Sequence, residues 1–238
     1  MLRLVFIILI SFPIILYYLW KAGYIERHTE NYTEEDRYHV ARGAVSVMKR
    51  NGFIRTNVFG TENLPQDGGY IMYPNHQGKY DAVGIISVHD KPCTVVIDEK
   101  RSHLPIADQF VTLLKGSRLD KTDMKNQVNT IMNVTSEVKD GRKYIIFPEG
   151  GYFHNRNEVK DFLPGAFKCA IKPKSPIVPV ALIDSYKPFE LNSLKPVTTQ
   201  VHFLKPLYYD DYKDMSSKEI AELTRTRIVN TIQDVCEA

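Results

Sequence analysis

The first residues form the most apolar part of the chain. No charged residue occurs from Leu4 to Trp20, and a membrane-spanning helix needs about 20 apolar residues, with a lower limit of about 17. Tyr17, Tyr18 and Trp20 lie together at one end, as in the aromatic belt of a membrane protein. No convincing small-residue cleavage site follows, so a cleaved signal peptide is disfavoured. The pattern predicts an uncleaved membrane anchor, either spanning or interfacial, that is kinked at Pro13.

Basic residues are unevenly placed around this apolar segment. Under the positive-inside rule, the flank richer in Lys and Arg lies in the cytoplasm. Arg3 precedes the segment, whereas six basic residues follow it: Lys21, Arg27, Arg37, Arg42, Lys49 and Arg50. If the anchor spans the membrane, the main domain is therefore expected on the cytoplasmic face of the cell membrane.

A second helical pattern follows in residues 33–52. Thr33 is a suitable N-cap, the three acidic residues after it suit the positive end of a helix dipole, and Gly52 is a suitable stop. Apolar residues recur at helical spacing on one face: Ala41, Ala44, Val45 and Met48. Two interpretations remain open: an amphipathic helix packed on the main domain, or the second helix of a two-helix membrane foot.

Beyond Phe53, short apolar runs alternate with segments of helical periodicity. Predicted strands cover residues 69–73, 93–98, 142–147, 177–183 and 200–204, and predicted helices cover residues 104–114, 122–139, 164–172 and 216–235. Several strands are apolar on both faces, which is typical of a sheet covered on both sides. The alternation predicts an α/β sandwich with a mainly parallel central sheet in residues 53–238, preceded by an anchoring segment in residues 1–52. In such sheets, functional sites lie at the loops beyond the strand ends.

Two predicted strands end in a proline that is followed at once by polar residues. The first continues as NHQGKYD, where His76 and Asp81 are five residues apart and Gly78 permits a turn between them. A carboxylate that accepts a hydrogen bond from one ring nitrogen of a histidine leaves the other nitrogen free to accept a proton from a hydroxyl. Because no GxSxG motif supplies a serine nucleophile, the hydroxyl would belong to the substrate. The alternative is a turn held by a hydrogen bond.

The second proline-terminated strand continues as Glu149-Gly150-Gly151. It is not a phosphate loop, since nothing in the chain reads GxxxxGK[ST]. In a functional interpretation, the glycines let a substrate approach the backbone and Glu149 accepts hydrogen bonds from substrate hydroxyls. In the simpler interpretation, the stretch is a tight turn with an exposed acid.

A basic stretch lies between these two loops. Lys115, Arg118 and Lys121 place three cations within seven residues. Arg forks and Lys point charges suit phosphate, so the stretch is either a phosphate pocket or a solvated charged turn.

Composition narrows the classes of function. The 31 basic and 28 acidic residues give a net charge of +3, whereas a tight nucleic-acid binder shows a stronger basic bias. No nucleic-acid partner is expected. The three cysteines, Cys93, Cys169 and Cys236, form no CxxC or zinc-type spacing and are predicted to be free thiols.

The ordered set of motifs resembles the glycerolipid acyltransferase family, that is, the PlsC-like 1-acylglycerol-3-phosphate acyltransferases. The set comprises NHQGKYD, GSRLDK, FPEG and the apolar stretch IVPVAL, in that order, and the resemblance covers residues 53–210. It implies transfer of a fatty acyl group from acyl-CoA or acyl carrier protein to the sn-2 hydroxyl of 1-acylglycerol-3-phosphate, which yields phosphatidic acid. It implies no metal and no redox cofactor. It also implies contact with the lipid bilayer.

The resemblance also implies roles for single residues. His76 would be the general base and Asp81 would orient it. The remaining site positions would bind substrate: Asn75, Lys79, Arg118, Lys121, Glu149, Gly150 and Gly151.

This chain departs from the family pattern at three positions. Gly78 replaces a frequent serine, Lys121 replaces an arginine, and the arginine that usually ends FPEGTR is missing because the chain reads FPEGGY. Lysine keeps the charge but loses the bidentate fork. Arg118 and Arg156 are candidates to replace the missing charge, and the acceptor is the property that these changes affect most.

Four alternative functions are left open. The nearest is an acyltransferase for glycerol-3-phosphate or another lysophospholipid. A lipid hydrolase would use water in place of the acceptor, and a non-catalytic lipid-binding protein would need no His–Asp pair. A metal site would use His76, Asp81 and Glu149 as ligands.

Overall fold

The computed structural model describes residues 2–103 and 106–237. The strands are β1 (Ile54–Phe59), β2 (Tyr70–Pro74), β3 (Thr94–Asp98), β4 (Ser117–Leu119), β5 (Lys143–Ile145), β6 (Ile177–Ile183) and β7 (Val197–Phe203). The α-helices are α1 (Leu2–Ile10), α2 (Phe12–Arg27), α3 (Glu34–Asn51), α4 (Asp81–Val88), α5 (Glu99–Ser102), α6 (Ala107–Leu113), α7 (Met124–Lys139), α8 (Lys168–Ile171), α9 (Lys187–Glu190), α10 (Tyr209–Tyr212) and α11 (Ser217–Glu237). The first two residues of the predicted helix 104–114 lie outside the described residues.

The described strands form one seven-stranded sheet in the order β1-β7-β6-β2-β5-β3-β4. All neighbouring strands pair in parallel except β6 and β7, which are antiparallel. The predicted α/β fold with a mainly parallel sheet is therefore confirmed. β2 lies between β6 and β5, so the loops after β2 and β5 leave neighbouring strands at the same edge of the sheet.

Apolar cores cover both faces of the sheet. Alternate residues of β2 point to opposite sides, and all five residues of this strand are buried. Ile71 and Tyr73 join a cluster that includes residues of α7 and α11, whereas Tyr70 and Met72 join one that includes residues of α3 and α4. This two-sided burial is why the strand reads as a continuous apolar run.

Helix α3 begins and ends as its sequence predicts. Thr33 accepts a hydrogen bond from the backbone N–H of Asp36 at 3.2 Å, and the Asp36 carboxylate accepts from the N–H of Thr33 at 2.9 Å. The helix ends at Asn51, directly before Gly52. The Tyr38 hydroxyl donates to the carbonyl of His89 at 2.9 Å, so α3 packs on the α/β domain.

The apolar N-terminal segment is broken into two helices. α1 and α2 meet at an angle of 79°, and Pro13 lies in the first turn of α2, which confirms the predicted kink. Considered singly, none of the described helices has both the length and the apolar character to cross a membrane; α1 and α2 reach that threshold only as a bent pair. Large apolar side chains remain exposed on both, including Leu9, Phe12 and Trp20.

Arg3 connects α1 to the α/β domain through hydrogen bonds. Its side chain is fully buried. The guanidinium donates to the carbonyl oxygens of Pro188 at 3.0 Å and Lys195 at 2.5 Å. The division of the chain at residue 52 stays a prediction.

Candidate active site

The loops that follow β2 and β5 are joined by a hydrogen bond. β2 ends at Pro74, and Phe147-Pro148 follows β5. The backbone N–H of His76 donates to Oε1 of Glu149 at 2.9 Å. The two polar loops predicted from the sequence therefore meet.

Asp81 organises the turn that contains His76. The carboxylate is fully buried at the start of α4, and its Oδ2 lies 2.7 Å from Nδ1 of His76. The same oxygen accepts hydrogen bonds from the backbone N–H groups of Gln77 at 2.5 Å and Gly78 at 2.8 Å. The chain must turn between His76 and Asp81 for these contacts to form, and Gly78 is buried within that turn.

The His76 ring is held on one face and reachable from solvent. It stacks on Phe147, with ring centroids 4.3 Å apart, and its side chain is 19% exposed. Nε2 makes no hydrogen bond to any described residue. With Nδ1–H donated to Asp81, Nε2 carries the lone pair, which is the arrangement of a general base oriented by a carboxylate.

Asn75 and Gln77 attach this loop to β6. Both side chains are fully buried. The Asn75 amide donates to the carbonyl of Leu182 at 3.1 Å and accepts from the N–H of the same residue at 2.7 Å. Gln77 donates to the Leu182 carbonyl at 2.7 Å and accepts from the N–H of Ser185 at 2.7 Å. Asn75, predicted to contact substrate, has its amide occupied by strand backbone.

Glu149 is buried rather than exposed. Only 4% of the residue is accessible, and Oε2 has no hydrogen-bond partner within the part of the chain that the structure describes. Burial raises the pKa of this carboxyl above its ordinary value, although the hydrogen bond from the His76 N–H opposes that shift. The exposed-acid turn considered from the sequence is thus replaced by a buried contact between the two loops.

The glycine after Glu149 is required by the backbone. Gly150 has a φ of 70°, a conformation that glycine adopts without steric cost. Its carbonyl accepts a hydrogen bond from Nζ of Lys121 at 2.7 Å, and the same ammonium lies 3.1 Å from Oδ2 of Asp98. Lys121 therefore reaches the loop that carries Glu149.

The other predicted cations are placed differently. Arg118 donates to Asp108 and Thr112 at 2.8 Å each and to Ser102 at 3.1 Å, so its guanidinium is engaged by side chains of α5 and α6. Lys79 is exposed and has no hydrogen bond or ion pair to any residue in the described ranges. Lys121 therefore contacts the loop that carries Glu149, and Lys79 is solvent-exposed without a partner among the described residues. Arg118 is hydrogen-bonded to side chains of α5 and α6.

The described residues do not form a metal-binding site. Across residues 2–103 and 106–237, no group of three or more His, Cys, Asp or Glu side chains is arranged to hold a metal ion. In the trio considered from the sequence, Glu149 accepts from the backbone of His76 while the His76 ring faces Asp81.

Three residues that contribute to the site were not predicted from the sequence. Gln77 bridges the loop to β6, Phe147 stacks on His76, and Tyr152 places its ring 5.6 Å from the imidazole. The sequence feature that could have identified them is their position next to His76, Pro148 and Gly151. A residue that adjoins a catalytic candidate often supports it, and aromatic rings commonly pack against imidazole.

Comparison with known proteins supports an acyltransferase assignment. A family model described as Acyltransferase matches residues 55–183, more than half of the chain. The 1-acyl-sn-glycerol-3-phosphate acyltransferase of Saccharomyces cerevisiae is 27% identical over 204 residues, which is 82% of this chain and 65% of the yeast protein. The enzyme of the same name from Escherichia coli K12 is 27% identical over 169 residues, covering 71% of this chain and 69% of that protein. The chain thus spans slightly less than two thirds of the yeast relative.

A solved structure has the same fold. The crystal structure of the 1-acyl-sn-glycerophosphate (LPA) acyltransferase, PlsC, from Thermotoga maritima matches with a TM-score of 0.79, covering 99% of this chain and 97% of that one. The sequence identity is 18%. This likeness concerns the fold alone.

Proposed function

Since this chain belongs to the acyltransferase family, we propose that it transfers a fatty acyl group from an acyl thioester to the sn-2 hydroxyl of 1-acylglycerol-3-phosphate. The product is phosphatidic acid, a precursor of phospholipids. The observation that carries the proposal is the buried Asp81 within hydrogen-bond distance of Nδ1 of His76, whose Nε2 makes no hydrogen bond to any described residue. The named activity of the yeast and Escherichia coli relatives supports this choice of acceptor.

The proposed mechanism uses the two residues in one proton cycle. Nε2 of His76 takes the proton from the acceptor hydroxyl, and the resulting alkoxide attacks the thioester carbonyl. Asp81 stabilises the imidazolium that forms. When the tetrahedral intermediate collapses, the C–S bond breaks and the proton passes from Nε2 to the leaving thiolate. A positioned general base contributes about 10²–10⁴-fold to such a reaction.

The thioester donor is acyl-CoA or acyl carrier protein. Both supply the same acyl–sulfur bond, so the proton cycle at His76 is the same for each. No metal or redox cofactor takes part in the proposed reaction.

The substrate-binding residues are proposed from their neighbourhood. Lys121 and Arg118 are both candidates for substrate contact, and both are paired with a carboxylate, Asp98 at 3.1 Å and Asp108 at 2.8 Å. Lys121 is the stronger candidate because its ammonium also donates to the Gly150 carbonyl at 2.7 Å, on the loop that carries Glu149. Gly150 and Gly151 would allow close approach of the substrate to the backbone, and Glu149 would hold the His76 loop in place.

We further propose that α1 and α2 attach the enzyme to the bilayer that contains its acceptor, with the catalytic domain on the cytoplasmic face. Exposed Leu9, Phe12 and Trp20 on these helices support attachment, because buried apolar area is what binds a helix to a lipid interface. Placing the hydroxyl and the thioester together at this surface would supply the rest of the rate acceleration.

A transfer assay tests the proposal. Purified protein in detergent micelles is offered a labelled acyl-CoA, or the same acyl group on acyl carrier protein. The acceptor is lysophosphatidic acid, glycerol-3-phosphate, lysophosphatidylcholine or none. We expect labelled phosphatidic acid with lysophosphatidic acid and little product with the others.

The other outcomes identify the alternatives. Product with glycerol-3-phosphate or lysophosphatidylcholine would keep the reaction type and change the acceptor. Free fatty acid in every tube would indicate a hydrolase that uses water. Turnover by His76→Ala equal to that of the unmodified protein would contradict the general-base assignment.

A further inference from the structure

The segment after Gly151 packs against the His76 loop. Asn157 accepts a hydrogen bond from Nε2 of Gln77, the residue after His76, at 2.8 Å. Asn157 also accepts from the N–H of Asp184 at 2.9 Å. The far end of residues 152–157 is therefore hydrogen-bonded to the His76 loop, although six residues separate the start of this segment from β5 in sequence.

Tyr152 stands where the family pattern has arginine, and it lies beside the catalytic histidine. Its ring centroid is 5.6 Å from that of His76, and its hydroxyl is 4.0 Å from the position that a Cβ on Gly78 would take. The hydroxyl lies 2.9 Å from Nδ1 of His154, which is 3.3 Å from Oε1 of Glu190. The Glu190 carboxylate therefore lies beside His154, and its Oε1 makes no hydrogen bond to any described residue.

Arg156 is the cation of this segment. Its guanidinium carbon lies 5.6 Å from the ring centroid of Tyr186, and the Cα of Tyr186 is 3.7 Å from the position of a Cβ on Gly78. Gly78, two residues after His76, is thus close to both Tyr152 and Tyr186. Contact with an aromatic face orients a guanidinium without neutralising it.

Arg156 is also uncompensated. Arg118 and Lys121 each have a carboxylate within 3.1 Å. By contrast, neither Arg156 nor Lys79 has an ion pair or side-chain hydrogen bond to any residue that the structure describes, and both are exposed. An exposed cation without a carboxylate partner keeps its full charge for an incoming anion.

The backbone around Arg156 is in an uncommon conformation. Arg156 and His154 have φ angles of 51° and 55°, in the left-handed region that non-glycine residues seldom adopt. Such conformations cluster at ligand-binding sites. Here they accompany the placement of the Arg156 side chain on Tyr186.

We propose that Arg156, together with Lys79, binds the phosphate of the acceptor beside His76, and thereby replaces the arginine that the FPEGGY sequence lacks. The inference rests on the proposed acyltransferase function. A guanidinium presents paired N–H donors that match two phosphate oxygens, and Lys79 adds a point charge from the loop that carries the base. The phosphate would then hold the acceptor with its hydroxyl near Nε2.

Kinetics with paired acceptors test the assignment. The full-length protein is assayed in micelles with lysophosphatidic acid and with monoacylglycerol of the same acyl chain, which lacks the phosphate. The variants are Arg156→Gln, Arg156→Lys and Lys79→Gln. The matched control is Arg55→Gln, an exposed arginine on the edge strand β1.

We expect Arg156→Gln to raise the KM for lysophosphatidic acid about 10- to 100-fold, the effect of losing a charged hydrogen bond. The donor KM and the KM for monoacylglycerol should stay within about twofold of the control. Arg156→Lys should recover part of the loss because it restores the charge without the fork. An unchanged acceptor KM in Arg156→Gln, or a rise in the donor KM alone, would overturn the assignment.

Direct binding separates this inference from the proposed function. The Kd of lysophosphatidic acid is measured by calorimetry in the same micelles, without any donor, and circular dichroism checks that each variant is folded. If the unmodified protein binds lysophosphatidic acid but transfers no acyl group, the proposed function is wrong. The phosphate assignment is then still tested by the Kd of Arg156→Gln. Equal Kd values for Arg156→Gln and Arg55→Gln would sink the inference even if transfer is active.

Discussion

At the residue scale, a single carboxylate oxygen of Asp81 faces three N–H groups. It accepts from the backbone of Gln77 and Gly78 and lies 2.7 Å from Nδ1 of His76. Because the group is fully buried, water does not screen its interaction with an imidazolium. The same oxygen atom therefore holds both the turn and the ring of His76, the proposed general base.

We expect Asp81→Asn to lower kcat at least about 100-fold with little change in either KM. Asparagine keeps an oxygen for the turn but no longer stabilises a positively charged His76. Steady-state kinetics with both substrates measure the effect, and Asp67→Asn in an exposed loop is the control. A kcat within a few-fold of that control would show that Asp81 holds the loop without assisting the base.

At this scale, a site residue could be predicted where its signal lies in neighbouring residues of the chain. His76, Asp81 and Glu149 were found because strand, proline and polar residue follow one another along the chain. The bond from Gln77 to the Leu182 carbonyl joins residues 105 positions apart and uses a backbone atom. A backbone acceptor carries no residue-type signal, so this contact could not be predicted.

At the scale of secondary-structure elements, burial decides which strands were predictable. β6 was predicted with its observed limits, Ile177 to Ile183, because all seven residues are buried and apolar. β1 was missed because it is an edge strand with polar and exposed positions. β4 has only three residues, too few for a periodic pattern.

Helix α3 offers an element-scale prediction. We expect Thr33→Ala to lower the free energy of unfolding by about 1 kcal/mol, since it leaves an N-terminal N–H group without its cap. Thr33→Ser, which keeps the hydroxyl, should cost much less. Urea unfolding followed by circular dichroism measures both. An equal loss in the two variants would indicate that the threonine methyl, not the cap, stabilises this end.

At the scale of the whole molecule, a buried histidine links stability to pH. His89 is fully buried, Nε2 lies 2.6 Å from the Tyr70 hydroxyl, and Nδ1 lies 2.6 Å from the carbonyl of Lys91. Burial lowers the pKa of this imidazole to about 4, against about 6.5 in an unfolded chain. The unfolded state therefore binds the proton more readily.

Acid should accordingly destabilise the fold through His89. The contribution is fully present above pH 6.5 and is lost as pH falls toward about 4, for a total of about 3 kcal/mol. We expect His89→Gln to have a lower free energy of unfolding than the unmodified protein at pH 7. Between pH 6.5 and about 4, however, its free energy of unfolding should fall by about 3 kcal/mol less than that of the unmodified protein. Urea unfolding at several pH values measures the difference. The control is His39→Gln, an exposed histidine, and a slope equal to that control would refute the link.

The two hydrogen bonds between Asn75 and Leu182 have a consequence for transplanting the site. After Pro74 the backbone leaves the sheet, yet the Asn75 amide supplies both a donor and an acceptor to β6, as the next strand residue would have done. The Asn75 side chain thus takes the place of a strand backbone, so that the loop can leave the sheet while the N–H and C=O of Leu182 stay hydrogen-bonded. A designer could not graft residues 75–81 alone onto another scaffold: the receiving strand must offer an N–H and a C=O in the same plane, and a second loop must supply a buried acceptor such as Glu149.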